Sequence, residues 1–189
     1  MTKIEINPSI APFPKPTALL GSLVEGIPNF MDIVWLNRVN RSPNIWVVSV
    51  NKKHHTMKGI QETGWFSLNF PNTSLVEKTD YCGLVSGRDV DKSELFQVFY
   101  DPEENVPLIK ECPVCVSCAV TQYVELPDHF VVFGEVKHVY SEEQFLTDGA
   151  LDSEKMDLII FTRPGPIGNY WSLGKKIGKA WSIGKNVSE

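Results

Sequence analysis

The spacing of apolar positions changes several times along this chain, and each change marks an element. Thr17 to Val24 (TALLGSLV) is an apolar run of strand length, closed by the turn pair Glu25-Gly26. From Asn29 to Asn37, Met31, Ile33 and Trp35 alternate with Asp32, Val34 and Leu36, which predicts a second strand with two unlike faces. The polar stretch Arg38 to Pro43 predicts a loop, and the β-branched, aromatic run Asn44 to Asn51 a third strand of the same antiparallel sheet. The period then becomes helical: Thr56 is the expected N-cap, Ile60 and Thr63 follow at helix spacing, and Gly64 suits the stop. Trp65 to Phe70 returns to strand character, and Thr73 to about Val85 predicts a second helix.

Residues 86–107 carry few periodic apolar positions and predict a long irregular excursion, which inside a compact domain is usually functional or disordered. Pro113 to Leu126 and Phe130 to Tyr140 are two long apolar-rich strands joined at Pro127-Asp128-His129. Residues 141–157 are acidic and partly helical, and Leu158 to Thr162 predicts a last short strand. Ahead of all this, Pro8, Pro12, Pro14 and Pro16 suit an extended lead-in over residues 1–16. The pattern predicts a mainly β fold, a β-barrel with short helices, as one domain over residues 1–189 with a C-terminal tail at 164–189.

Composition narrows the function classes. A net charge of -5 argues against a nucleic-acid binder, which needs a basic face for phosphates. No apolar run is long enough for a membrane span, so no membrane partner is expected. The first residues, MTKIEINPSI, lack the apolar core of a secretory signal, which predicts a cytoplasmic protein with reduced cysteines.

The familiar nucleotide and hydrolase motifs, G-x-G-x-x-G, the Walker loop and G-x-S-x-G, are all missing. Lys52-Lys53-His54-His55-Thr56 precedes the first predicted helix. Cations, a hydroxyl and free amides at a helix start make an anion site; on the local pattern alone a solvated basic loop with an ordinary N-cap is the favoured reading. His129 and His138 are too far off to complete a metal site with His54 and His55. Cys112, Cys115 and Cys118 have iron-sulfur spacing, with Cys82 as a distant fourth. On a strand, however, Cys115 and Cys118 point to opposite faces, which predicts buried apolar thiols. Ser86-Gly87-Arg88-Asp89-Val90-Asp91-Lys92 reads either as a hydrated loop or as one whose Arg88 or Lys92 closes over an anion. Tyr170, Trp171 and Trp181 are expected to pack the tail against the barrel, a partner subunit or a planar cofactor.

Five segments in order, HHTMKGIQETGWFSLNFP, SGRDVDKSEL, ECPVCVSC, HFVVFGEV and YWSLGKKIGKAWSIGK, resemble the flavin reductase-like, FMN-binding split-barrel family, most closely its flavoredoxin branch. The resemblance implies a Greek-key antiparallel split barrel that forms a homodimer and binds FMN near the subunit interface. By position, Asn29, Met31, Asp32, Ile33, Val34 and Trp35 match the strand along the isoalloxazine ring. Asn51, His54, His55 and Thr56 match the loop around the flavin phosphate, and Ser86, Gly87 and Lys92 the loop that helps enclose the cofactor. Relatives often carry Thr or Ser where this chain has Asp32 and Val34, and an aspartate beside a flavin disfavours an anionic reduced ring unless it is protonated or turned away.

The implied activity is a redox one: electrons pass from NADH or NADPH through FMN to free flavin, ferric ion or an unidentified protein acceptor. The flavin carries that chemistry, so no catalytic side chain is expected. The alternatives are an FMN-binding electron carrier without its own NAD(P)H activity and a barrel that has lost its flavin, with which Asp32 is most compatible.

Overall fold

The computed structural model describes residues 1–7 and 11–187. Pro8 of the expected lead-in and residues 188–189 of the tail lie outside the described residues. The lead-in ends in a strand, β1 (Ala11–Pro16), which pairs antiparallel with a segment near the far end of the chain (Lys15 opposite Phe161). Proline cannot donate to a ladder, and β1 lies at the edge of its sheet, where that is tolerated.

The chain continues into β2 (Ala18–Val24) and β3 (Ile27–Ile33), a hairpin whose two turn residues, Glu25 and Gly26, both have positive φ. This backbone twist matches that of the flanking strands. β2 is buried along almost its whole length because both its faces are covered: Leu20 lies in the main core and Leu19 in a second cluster. The strand expected over Asn29 to Asn37 is broken. β4 (Leu36–Asn40) starts after Val34-Trp35 and takes Arg38 to Asn40 out of the expected loop. The break inverts the alternation, so Leu36 joins Met31 and Ile33 in the core and Trp35 is left half exposed.

β5 (Ile45–Asn51), α1 (His55–Thr63), β6 (Trp65–Phe70) and α2 (Val76–Leu84) follow, with a short 3-10 turn at Thr73–Leu75 leading into α2. The expected irregular excursion contains a 3-10 turn (Lys92–Leu95) and a small hairpin of β7 (Val98–Tyr100) and β8 (Pro107–Ile109). Its apolar positions are too few and too scattered for periodicity, yet Phe96, Val106, Leu108 and Ile109 are all buried. Asp101 anchors the hairpin: it accepts hydrogen bonds from Tyr140 Oη (2.9 Å), Ser117 Oγ (3.0 Å) and the amides of Glu103 and Glu104 (3.1 Å each). Burial alone would raise this carboxyl, but the donors outweigh it and hold it below the usual carboxylate value.

The long strands are β9 (Val114–Glu125) and β10 (His129–Ser141). The acidic stretch after them forms a minimal hairpin, β11 (Leu146–Thr147) and β12 (Ala150–Leu151), and the single turn α3 (Ser153–Met156). β13 (Ile159–Arg163) then pairs with both β1 and β14 (Asn169–Ser172), so part of the expected tail is a strand.

Seven strands share one sheet in the order β3-β2-β6-β9-β10-β5-β4. Its two outer strands are joined in sequence through Val34-Trp35, and the Ser49 amide, donating to the Trp35 carbonyl at 2.9 Å, extends the β4–β5 ladder to that junction. That closes the sheet into a barrel. Side chains from all seven strands fill it, and Met57 and Ile60 of α1 and Met156 of α3 join the same core. The second cluster lies outside the barrel, where α2 and the 95–112 segment cover Leu19, Phe30 and Cys115. Cys115 and Cys118 face different clusters, as alternation requires, and all four thiols are free and buried.

Gly59 lies where α1 crosses β2. A Cβ there would sit 2.3 Å from the Leu23 carbonyl oxygen, which is backbone and cannot swing away. In an exposed helix, Gly-to-Ala gains about 1 kcal/mol of propensity; here we expect Gly59→Ala to destabilise by about 1–3 kcal/mol. Urea denaturation at neutral pH reads the sign directly.

Candidate functional site

The start of α1 faces the 86–92 loop across two adjoining clefts of about 420 and 330 Å³. His55, Gly87, Arg88 and Lys92 line both. The N-cap of α1 is His54, in extended conformation, rather than the expected Thr56. The sequence pointed to Thr56 because of its hydroxyl, but that hydroxyl is buried and serves another contact: Asn29 Nδ2 donates to Thr56 Oγ1 at 2.6 Å. No side chain caps the helix. The amides at the beginning of an α-helix have no i−4 partner; that of Met57 donates to the His54 carbonyl at 3.1 Å, which leaves those of His55 and Thr56 for the cleft.

Gly87 lies against the Asn29–Thr56 pair. A Cβ on it would fall 1.9 Å from Asn29 Oδ1, so this close approach of loop to strand needs glycine. The loop is tied down by its cations. Arg88 Nη2 donates to the Lys53 carbonyl at 2.9 Å, joining the 86–92 loop to the turn before α1. Lys92 is almost fully buried, and its Nζ donates to the carbonyls of Cys82 (3.0 Å) and Val85 (3.2 Å) at the C-terminal end of α2. Burial pushes its ammonium below the usual lysine value. The same cause, with the positive charges of Lys92 and Arg88 behind it, lowers His54; for His55 burial and then Arg88 do so. These groups repel added positive charge, and an anion between them relieves that repulsion.

Nine of the thirteen residues singled out from the sequence line these clefts: Asn29, Met31, Asp32, His54, His55, Thr56, Ser86, Gly87 and Lys92. The other four do not. Ile33 turns its side chain into the barrel core. The Val34 side chain is not part of the lining. Trp35 packs on His129 (ring centroids 5.0 Å apart) with Lys15 Nζ 5.4 Å from its ring. Asn51 spends its side chain on the Lys53 amide at 3.0 Å. Ile33 keeps the inward phase of Met31, while Val34 and Trp35 form the break between β3 and β4, which period-two reading overlooks. Lys53, from the basic run before α1, lines the second cleft as well; Cys82, Gly83, Leu84 and Val85 do too, and no spacing in the sequence associates these four with it.

One cluster was invisible in the sequence. Tyr170 of β14 places its hydroxyl 2.9 Å from Asp32 Oδ2 and 3.1 Å from Asp80 Oδ1 on α2. Asp32 Oδ1 is buried with no hydrogen-bond partner. Burial is the main reason its carboxyl rises to about 6; the Tyr170 hydrogen bond opposes this and the Asp80 charge adds to it. These residues are 138 and 90 positions from Tyr170 along the chain, so only the fold joins them. Trp181, expected to pack with the tail, is exposed.

A carboxyl with a folded pKa near 6 and an ordinary value of 3.8 binds more protons folded than unfolded between these limits. Stability therefore falls as pH rises through that window, and the penalty is fully present above it. We expect Asp32→Asn to be more stable than the parent by about 1–3 kcal/mol above neutral pH, with the gap closing toward pH 4. Chemical denaturation across pH measures this.

Among the described residues, no cluster of His, Cys, Asp and Glu could hold a metal ion, and no helix is long and apolar enough to cross a membrane. A model of the flavin reductase like domain matches residues 10–155. The flavoredoxin of Methanosarcina acetivorans is 45% identical, with a TM-score of 0.95 over 99% of this chain and 100% of that one. The flavoredoxin of Desulfovibrio vulgaris (Miyazaki F) is 29% identical, with a TM-score of 0.88 over 98% and 100%. An FMN-binding protein from Thermus thermophilus shares the fold at 22% identity, with a TM-score of 0.79 over 95% and 97%. With a split barrel of this topology and a family match over most of its length, the chain belongs to the flavin reductase like domain family.

Proposed function

We propose that the chain binds FMN in the paired clefts and works as a redox protein of the flavin reductase and flavoredoxin type. One observation carries the reading: the start of α1, the Gly87 loop and the cations Lys53, Arg88 and Lys92 converge on one recess beside β3. Helix amides and fixed cations suit a phosphate ester. The volumes fall within the range of cofactor pockets, and Met31 adds an apolar wall. The name of the Thermus relative, an FMN-binding protein, points to FMN among flavins.

FMN, when bound, supplies the acceptance and release of electrons. The residues of the chain hold and orient it. Lys53 and Arg88 fix the approach of the two loops through their hydrogen bond, and Gly87 lets the loop close on Asn29 and Thr56. Buried Lys92 keeps positive charge beneath the recess while holding the end of α2. We infer NADH or NADPH as donor and free flavin, ferric ion or a protein as acceptor. We further infer a cytoplasmic homodimer, in which exposed apolar side chains of the tail such as Trp171 and Ile177 meet a second copy.

The test is the absorbance of purified protein titrated with FMN, followed by anaerobic NADH and then NADPH. A bound-flavin spectrum that bleaches with either nucleotide is the expected result. Bleaching only with dithionite makes the protein an electron carrier, and no bound flavin ends the reading. Gly87→Ala should weaken FMN binding roughly 10-fold to 100-fold, about 1.4–2.8 kcal/mol, because its Cβ displaces Asn29 or lifts the loop.

A further inference from the structure

The Tyr170 hydroxyl carries one proton but lies within hydrogen-bond distance of two carboxylates. It can donate to only one of them. The other contact becomes a hydrogen bond only if that carboxyl brings a proton of its own. Asp80 is exposed and can meet water, whereas Asp32 has a buried Oδ1 that nothing in the chain satisfies. The arrangement that satisfies every contact has protonated Asp32 donating to Tyr170 and Tyr170 donating to Asp80. Asp32 also lines the cleft that contains Lys53, His54, Thr56 and Lys92. An ionised carboxylate there would repel an anionic ligand, and a neutral one would not.

We propose that the cleft takes up one proton together with its flavin phosphate, that Asp32 holds this proton, and that Tyr170 and Asp80 set the pH at which it does so. The inference rests on the FMN reading above and concerns binding alone, so no group is oxidised or reduced. The proton comes from solvent and forms an O–H bond on Asp32 as the anion enters.

The other groups facing Asp32 are few. On α2 these are Asp80 and the Cys82 thiol, which burial raises to about 11 and so keeps neutral. Lys92 lies behind Cys82, and Lys53, His54, His55 and Arg88 line the opposite side of the clefts. On β14 there is Tyr170, whose hydroxyl is pushed far above its usual value by burial and the Asp32 charge. His54 and His55 also gain affinity for protons when an anion binds, and a phosphate monoester loses its second proton near pH 6. Neither Tyr170 nor Asp80 has a contact with those histidines, which provides the discriminating measurement.

Opposite shifts are expected from two conservative variants. Tyr170→Phe removes both the acceptor used by protonated Asp32 and the donor used by its carboxylate; the hydrogen bond to the charged form is the stronger, so its loss moves the titration to higher pH. Asp80→Asn removes a like charge and moves it to lower pH. Calorimetric titration of the full chain with FMN, in buffers of different ionisation enthalpy, counts the protons taken up. The parent should take up close to one proton more than Asp32→Asn at about pH 7 and above. Relative to Asp32→Asn, parent affinity should fall by up to about tenfold per pH unit above the Asp32 titration. That fall should begin at higher pH in Tyr170→Phe and at lower pH in Asp80→Asn.

FMN bound with equal proton uptake in the parent and Asp32→Asn overturns the inference, as do shifts of the same sign in the two flanking variants. Failure of the parent to bind FMN instead removes the functional reading on which the inference rests. Carbon-13 carboxyl titration of the flavin-free chain, with Asp32 assigned from Asp32→Asn, then judges the shared proton separately: titration in the ordinary carboxylate range overturns it.

Discussion

A sheet of seven strands has two edges, each a row of unpaired donors and acceptors. In this protein the edge strands, β3 and β4, are consecutive in the chain and separated only by Val34-Trp35. The Ser49-to-Trp35 hydrogen bond carries the β4–β5 ladder one residue further, up to this seam. Closure forces Met31, Ile33 and Leu36 inward although they do not share one period, and it turns Trp35 outward. The seam places the outer surface of β3 beneath α2, with α1 reaching across from the barrel core. Everything proposed for the site depends on that placement.

The recess is built from pieces with little local stability. The turn before α1 and the 86–92 loop contain few buried apolar side chains, so polar contacts to the barrel fix their positions. Arg88 bonds to backbone, Lys92 bonds to backbone, and Asn29 bonds to Thr56. The Lys92 and Asn29 bonds are buried, where an unmet donor costs about 1–3 kcal/mol, whereas the Arg88 bond is exposed and only directs the loop. The cations therefore have two roles, holding the loops and setting the sign of the recess. Glu25, Asp89 and Asp91 line the first cleft, whereas among the described residues Asp32 is the one carboxyl lining the second, beside the cations, and it is kept high by burial and by the neighbouring Asp80.

The β14 strand connects this carboxyl to the periphery. Through Tyr170 the C-terminal region touches both β3 and α2. A residue far from the recess in sequence thus hydrogen-bonds a side chain lining it and opposes the rise that burial gives its carboxyl. The buried cysteines show the opposite situation: Cys112, Cys115 and Cys118 are closely spaced in sequence, yet all have raised thiol values through burial and take no part in the recess.

By itself the sequence determined the strands whose burial pattern is regular, β2, β5, β6, β9 and β10, because period-two or continuously apolar runs have few other solutions. It also determined the opposite facing of Cys115 and Cys118, and, through the order of its motifs, the family and the two loops of the recess. It misassigned the α1 N-cap because a threonine hydroxyl is a good local cap but here has a better distant partner in Asn29. It missed the β3–β4 break, since barrel closure and not local propensity interrupts that run. The β7–β8 hairpin escaped because its strands are three residues each, too short for a period. The Asp32–Tyr170–Asp80 cluster belongs wholly to the tertiary structure: no local rule relates residues separated by 90 or more positions, and the proton they share exists only where the fold buries Asp32 beside them.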